Sequence, residues 1–297
     1  MKTLRTCLVI VIAAGSLALC SATAFCGDLP AIHEAGVLRH LGIPYANFVT
    51  GSDDGMDVEL IKGFAKHLGV RYEYVKTDWG AVAQDLIGKE ISMADGRPVL
   101  GADAPIRGDL VANGFTILPW REEIVSFSKP TFPSQIWLIA RADSKVKPIQ
   151  PSPNDIKKDI TRVREVMRGK KVLALPKTCL DPDLYKLEET GATVICFIGN
   201  LNEIAPAVIN GDAEMTILDV PDALIALEKW PGKIKIIGPV SPPQTMAVGF
   251  PKSSPKLRET FNEYLGGVMR DRTYARLIKK YYPTAPYFFP SFFKGLM

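Results

Sequence analysis

The chain has 297 residues, 47% of them hydrophobic and 23% charged, with 36 basic and 32 acidic side chains and a formal net charge of +4. That balance is ordinary for a globular protein, leaves room for two separate cores, and carries none of the basic excess of a nucleic-acid binder. No internal segment reaches the roughly 18 uninterrupted apolar residues that a membrane span requires.

At the N-terminus, Lys2 and Arg5 precede an apolar run from Cys7 to Leu19 and small residues ending Ala22-Thr23-Ala24. This is the pattern of a secretory signal peptide, so residues 1–24 are expected to be removed and the rest exported to the periplasm. Leu17-Ala18-Leu19-Cys20 lacks the small residue that usually precedes a lipidated cysteine, which makes lipid anchoring the lesser expectation. Cys26, Cys179 and Cys196 remain after cleavage; Cys179 and Cys196 form either a disulfide or two inert thiols.

Residues 37–48 (VLRHLGIPYANF) read as a strand and a loop carrying Tyr45. Asp57 is a candidate N-cap for a helix whose apolar face is Val58, Ile61, Phe64, Ala65 and Leu68, stopping at Gly69. A strand follows at 71–76, with Trp79 at its exit, and a helix begins at 81–87. Residues 93–107 (MADGRPVLGADAPIR), with two Gly and two Pro, are expected to be a surface loop.

Residues 108–130 (GDLVANGFTILPWREEIVSFSKP) hold the most specific chemistry. A buried strand end at Leu110-Val111-Ala112 leads to Gly114, Thr116 and a following Arg121. Backbone N–H groups, a hydroxyl and a guanidinium fork together make a carboxylate receptor; the alternative is an Arg solvated in a loop.

Beyond a Pro-bracketed connector, 135–141 is a strand and 142–154 a loop. Residues 155–167 form an amphipathic helix, with Ile156, Ile160 and Val163 inward. A strand at 171–175 ends near Thr178, before a helix expected between an Asp181 cap, Pro182 and Gly191. Strand 193–197 and helix 202–210 precede a strand closing at Asp219, which either caps the helix at 220–229 or faces a ligand. Strand 234–238, a Pro-rich connector at 239–245, and helices from Ser254 and Asp271 complete the chain. The aromatic tail 286–297 (PYFFPSFFKGLM) is expected to pack back on the body, with an exposed docking patch as the alternative.

Gly114 to Pro130 resembles the signature G-x-T-x-T-x-x-R-x-x-x-V-x-F-S-x-P of family 3 periplasmic solute-binding proteins, with Leu118 at the second Thr. The likeness extends along the mature chain. Residues 55–60 resemble G-F-D-x-D-L, and 169–178 resemble G-K-x-V-G-V-x-x-G-T with Lys177 for Gly. Residues 211–219 resemble G-x-x-D-x-x-x-x-D with Glu214 as the middle acid, and 271–282 resemble D-G-x-Y-x-x-L-x-x-K-Y with Arg272 for Gly.

The resemblance implies a two-lobed type II periplasmic-binding α/β fold, each lobe a mainly parallel sheet flanked by helices, with two hinge crossovers. Lobe one would comprise 25–133 and 244–297, and lobe two 134–243. It implies that Tyr45 and Trp79 line the ligand, that Gly114, Thr116, Arg121 and Thr178 hold its carboxylate, and that Asp219 holds its α-ammonium. Lys177 would either alter the backbone there or add a second positive charge. The insertion at 93–107 would lie near the cleft.

The implied function is capture of an amino acid or related small carboxylate by a monomer, for delivery to the permease of an ABC-type transporter, with no cofactor, metal or nucleic acid. Two other classes stay in view. One is an accessory protein on the same fold, such as those accompanying quinoprotein dehydrogenases. The other is an enzyme resembling cyclohexadienyl dehydratase, although His33, His40 and His67 lack metal spacing, no G-x-S-x-G occurs, and no catalytic residue is expected.

Overall fold

The computed structural model describes residues 27–51 and 54–296; the leader, Cys20 and Cys26 lie outside them. Two five-stranded sheets organise the chain. In the first, Val37–Gly42 runs parallel to Arg71–Lys76 on one side and to Leu110–Val111 on the other. Gly249–Pro251 then lies antiparallel between Leu110–Val111 and Val125–Phe127.

The second sheet repeats the plan. Lys171–Ala174 is parallel to both Thr193–Cys196 and Met215–Asp219. Ile136–Arg141 runs antiparallel to Met215–Asp219 on one side and to Ile234–Pro239 on the other. Met215–Asp219 is buried throughout and Ile136–Arg141 at all but its last residue. Sheets covered on both faces select such continuous apolar runs over strict alternation. In each sheet four strands run in the same sense, and the fourth in order, Gly249–Pro251 in the first lobe and Ile136–Arg141 in the second, runs against them.

The chain leaves the first lobe through Phe132–Ser134 and comes back through Gln244–Met246. These two segments pair antiparallel, so a two-stranded ribbon joins the lobes. Helices Pro255–Arg270 and Thr273–Tyr281 then pack on the first lobe beside helix Met56–Leu68, where Phe64 meets Phe261 edge-on at 5.2 Å and Lys280 pairs with Glu59 at 2.5 Å.

Three expectations are corrected. Asp57 does not cap its helix: the cap residue is Gly55, and Asp57 sits buried in the first turn. Its carboxylate accepts the Gly114 N–H at 2.7 Å. Residues 93–107 are largely a β-hairpin and not a loop: Lys89–Ala94 pairs with Arg97–Asp103 around Asp95-Gly96, both at positive φ. Asp-Gly with two left-handed residues is the chemistry of a two-residue type I′ turn. Arg107 pins the hairpin's exit by a 2.7 Å ion pair to Asp85 and a 2.9 Å bond to the Lys76 carbonyl.

Between Thr178 and Gly191 there is no α-helix. Asp181 does cap, but it opens two short 3₁₀ turns, Pro182–Tyr185 and Glu188–Thr190, separated by Lys186 at positive φ. Between Thr116 and strand Val125–Phe127, Pro119–Glu122 forms a short helical turn. The aromatic tail packs back, as expected. Phe293 lies 6.0 Å from Phe132, and Phe289 stacks on Trp137 at 6.3 Å, so the tail covers the ribbon and reaches the second lobe.

Candidate functional site

The parallel strands of both lobes end toward the seam between them, and the polar side chains that matter follow those ends. Crevices outside the carboxyl ends of strands are where α/β sheets take ligands. Tyr45 follows Val37–Gly42, and Asn113, Gly114 and Thr116 follow Leu110–Val111. Thr178 and Cys179 follow Lys171–Ala174, and Asp219 closes Met215–Asp219.

The lobes are bonded across this seam. Tyr45 Oη donates to Asp219 Oδ1, and the Ala46 N–H donates to Asn202 Oδ1 at 3.0 Å. Asp219 Oδ2 accepts from the Cys179 thiol at 3.3 Å. Cys179 O accepts from Tyr185 Oη at 2.7 Å, and Tyr185 in turn meets Gln244 Nε2 at 3.5 Å. Asp219, Tyr45 and Cys179 are all buried. Asp219 caps the helix Val220–Lys229 by position, yet its side chain makes no capping bond, so the carboxylate is turned to the seam.

Arg121, 1% exposed, lies on the first-lobe side. Pro119–Glu122 curls it back so that Nη1 donates to the Thr116 carbonyl at 2.9 Å. Its guanidinium stands 4.2 Å from the Phe115 ring, 5.2 Å from Trp120 and 5.9 Å from Trp79. Ring faces stabilise a cation that has left water. Trp79 meets Tyr45 edge-on at 5.5 Å, so an aromatic wall runs from Arg121 to the Asp219 hydrogen bond.

Burial governs the titration of these groups. It pulls the Arg121 guanidinium down to about 10, which leaves it cationic at neutral pH. It pushes Asp219 up against the opposing hydrogen bonds of Tyr45 and Cys179, and it pushes Asp222 well up, helped by the charge of Asp219. Burial and then Asp219 raise Cys179 far above a free thiol, so it is a hydrogen-bond donor and not a nucleophile.

Tyr45, Trp79, Arg121 and Asp219 are thus brought into one chain of contacts. Gly114 is there for its backbone: at φ 65° a Cβ would stand 2.5 Å from the Phe48 ring and 3.1 Å from Tyr45. Its N–H is taken by Asp57. The Thr116 hydroxyl is buried without a partner among the described residues.

Thr178 stands apart. Its hydroxyl donates to Leu175 O at 2.7 Å and accepts the Leu180 N–H at 3.0 Å, shaping its own turn. With only 3₁₀ turns behind it, Thr178 lacks the helix dipole expected there. Lys177 adopts the Gly conformation at φ 63°, and its side chain is exposed, so it adds no charge to the seam. Cys179 and Cys196 are free thiols, one buried and one exposed.

Sequence reasoning weighed Cys179 only as a disulfide partner or inert thiol, and passed over Tyr185, Asp222 and Gln244. The only signal for Asp222 was its place three residues after Asp219, one helical turn on.

The model of bacterial extracellular solute-binding proteins, family 3, matches residues 106–284. Solved structures of similar fold include a mutant of ArgBP from T. maritima, at 23% identity and TM-score 0.67, over 86% of this chain and 99% of that one. The ancestral amino acid-binding protein AncCDT-1, a precursor of cyclohexadienyl dehydratase, matches at 22% and 0.67 over 86% and 99%. An ABC uptake transporter substrate-binding protein from Streptococcus pneumoniae with bound histidine matches at 16% and 0.66 over 86% and 96%. At such identities the likeness is one of fold.

Proposed function

This chain belongs to the family 3 bacterial extracellular solute-binding proteins, and from that premise we propose that it captures an amino acid or related small carboxylate between its lobes and hands it to an ABC-type permease from the periplasm. The observation that carries this reading is the distribution of unpaired polar atoms. Arg121 Nε, Thr116 Oγ1, Gln244 Oε1 and Asp222 Oδ2 are buried without partners among the described residues. Buried polar groups are otherwise nearly always hydrogen-bonded, so this residual capacity is what a polar ligand would satisfy.

The carboxylate would go to Arg121 and Thr116 on the first lobe, beside Trp79 and the Gly114 turn. The ammonium would go to Asp219 on the second, with Tyr45 over it and the Thr178 turn behind. Contacts drawn from both lobes bind more tightly when the lobes are together, which couples occupancy to closure about the ribbon. A monomer suffices, because both halves come from one chain. We read the cleft as binding rather than catalytic, since burial holds Cys179 protonated; turnover of prephenate or arogenate by the purified protein would overturn that.

The test is calorimetry of the mature protein against amino acids and small carboxylates, with Arg121→Ala and Asp219→Ala. Each variant loses a charge-assisted contact and is expected to weaken binding roughly 10- to 100-fold. Unchanged affinity in both would defeat the proposal. One observation favours the accessory reading as the second: side chains of the chain itself, Tyr45 and Cys179, already donate to Asp219. A protein that binds nothing in the panel supports that alternative.

A further inference from the structure

The aromatic tail leaves the first lobe, touches the second and returns to the first. Its root is Tyr282, buried with its ring 5.0 Å from Phe48 and 4.7 Å from Phe132. Its far anchor is Phe293, buried and 6.0 Å from the same Phe132. Between these anchors two helical turns, Ala285–Phe288 and Pro290–Phe293, meet at Phe289. The Phe289 N–H donates to Ala285 O at 3.0 Å, and its carbonyl accepts from Phe292 N at 3.1 Å. Pro286 and Pro290 fix φ at the starts of the two turns, so ordering the tail costs less chain entropy.

The contact with the second lobe is Trp137, on strand Ile136–Arg141. Phe288 stands 5.4 Å from its ring, tilted by 56°, and Phe289 lies 6.3 Å away and within 9° of parallel. Both separations fall where aromatic pairs attract. Trp137 is itself tied to the second lobe's end of the hinge. Its Nε1 donates to Gln135 Oε1 at 2.8 Å, and Gln135 Nε2 donates to Ser241 O at 3.0 Å, which joins the outgoing crossing to the returning one. The Ile136 N–H completes the tie by donating to Ser241 Oγ at 2.9 Å. Trp137 therefore moves with the second lobe, whereas Phe288 and Phe289 move with the first. A change of angle about the ribbon has to shear these rings apart.

We propose that the tail is a strap across the hinge. Through Phe288 and Phe289 on Trp137 it holds the lobes at the angle at which Tyr45 meets Asp219, and it biases the ligand-free protein toward that closed arrangement. Each ring pair shifts the ratio of closed to open by about 2- to 10-fold. None of the tail's residues is among the proposed ligand contacts, and residues from 285 onward fall outside the family match.

The experiment is small-angle X-ray scattering of the ligand-free mature protein, comparing Phe288→Ala/Phe289→Ala with its parent. It is run in the wild type and in Tyr45→Phe, so that the Tyr45–Asp219 bond does not mask the strap. The double substitution is expected to enlarge the radius of gyration, most in the Tyr45→Phe background, with the circular dichroism of the folded lobes retained. An increase in either background supports the strap. Tyr287→Ala, which removes an 85% exposed ring from the same turn, is expected to leave the radius unchanged. A radius that the double substitution changes in neither background would overturn the proposal, as would an equal opening by Tyr287→Ala. If the double variant does not fold, Phe289→Leu takes its place, keeping apolar cover over Trp137 while removing the flat stack, and the same outcomes decide. The measurement needs no ligand, so it fails or succeeds independently of the binding function.

Discussion

A carboxylate inside the first turn of a helix and out of reach of water has to be held by something, and Asp57 is held by one amide, that of Gly114. Burial outweighs this bond and pushes the Asp57 carboxyl up to about 7 from 3.8. Between those values the folded protein keeps a proton that the unfolded chain has released, so stability falls as pH rises through the window and levels off above about 7. Asp57→Asn still offers an acceptor to Gly114 and has nothing to titrate. Thermal melts from pH 4 to 8 are expected to show the wild type losing ground to this variant as pH rises; parallel curves would refute the assignment.

Lys177 and Arg272 make a second point at the same scale. Each takes a left-handed conformation, φ 63° and 65°, where the family signature has Gly. The turn survives and the side chain bears the strain, so each Gly replacement is expected to stabilise by about 0.5–1 kcal/mol in chemical denaturation. No gain at either position would mean that local contacts of the Lys and Arg side chains offset the strain.

Among the elements, those with long apolar faces or continuous apolar runs were legible in the sequence, because burial alone selects them. Helix Ile156–Met167, with its Asp155 cap bonding Lys158 N at 3.0 Å, and strand Met215–Asp219 are examples. The hairpin was misread although its Asp95-Gly96 turn was in view: its strands expose Met93, Val99 and Leu100 at about half, so no alternation marked them. The segment after Thr178 had a helix cap and a stop, but no apolar period between them to make a helix.

At the site, Arg121 and Asp219 could be read from the signature. The Tyr45–Asp219 bond joins residues 174 apart and depends on how two lobes meet, which no local pattern encodes. The tail was legible in composition, though not in destination. Phe293, buried on Phe132, anchors it. Phe293→Ala is expected to cost about 3 kcal/mol in urea denaturation. Tyr287, 85% exposed, should cost less than about 0.5 kcal/mol when truncated. Similar losses at both would mean that the tail has another seat.

For the whole molecule, the question is what holds the two lobes against each other. The ribbon of Phe132–Ser134 and Gln244–Met246 joins them covalently but fixes no angle, whereas the bonds from Tyr45 to Asp219 and from Ala46 to Asn202 do. A hydrogen bond to a carboxylate contributes roughly 1.5–3 kcal/mol, enough to shift a two-state opening about 10- to 100-fold. Tyr45→Phe keeps the ring against Trp79 and Phe48 and removes only that bond. The ligand-free variant is therefore expected to scatter X-rays with a larger radius of gyration than the wild type, by an opening of the lobes and not by loss of either core. Saturating ligand should return it toward the wild-type value, because the ligand's ammonium supplies Asp219 with the partner that the phenol gave up. An unchanged radius in the free variant would assign the seam to the aromatic tail and the Ala46–Asn202 bond, and Tyr45 would then be a wall of the site and not its latch.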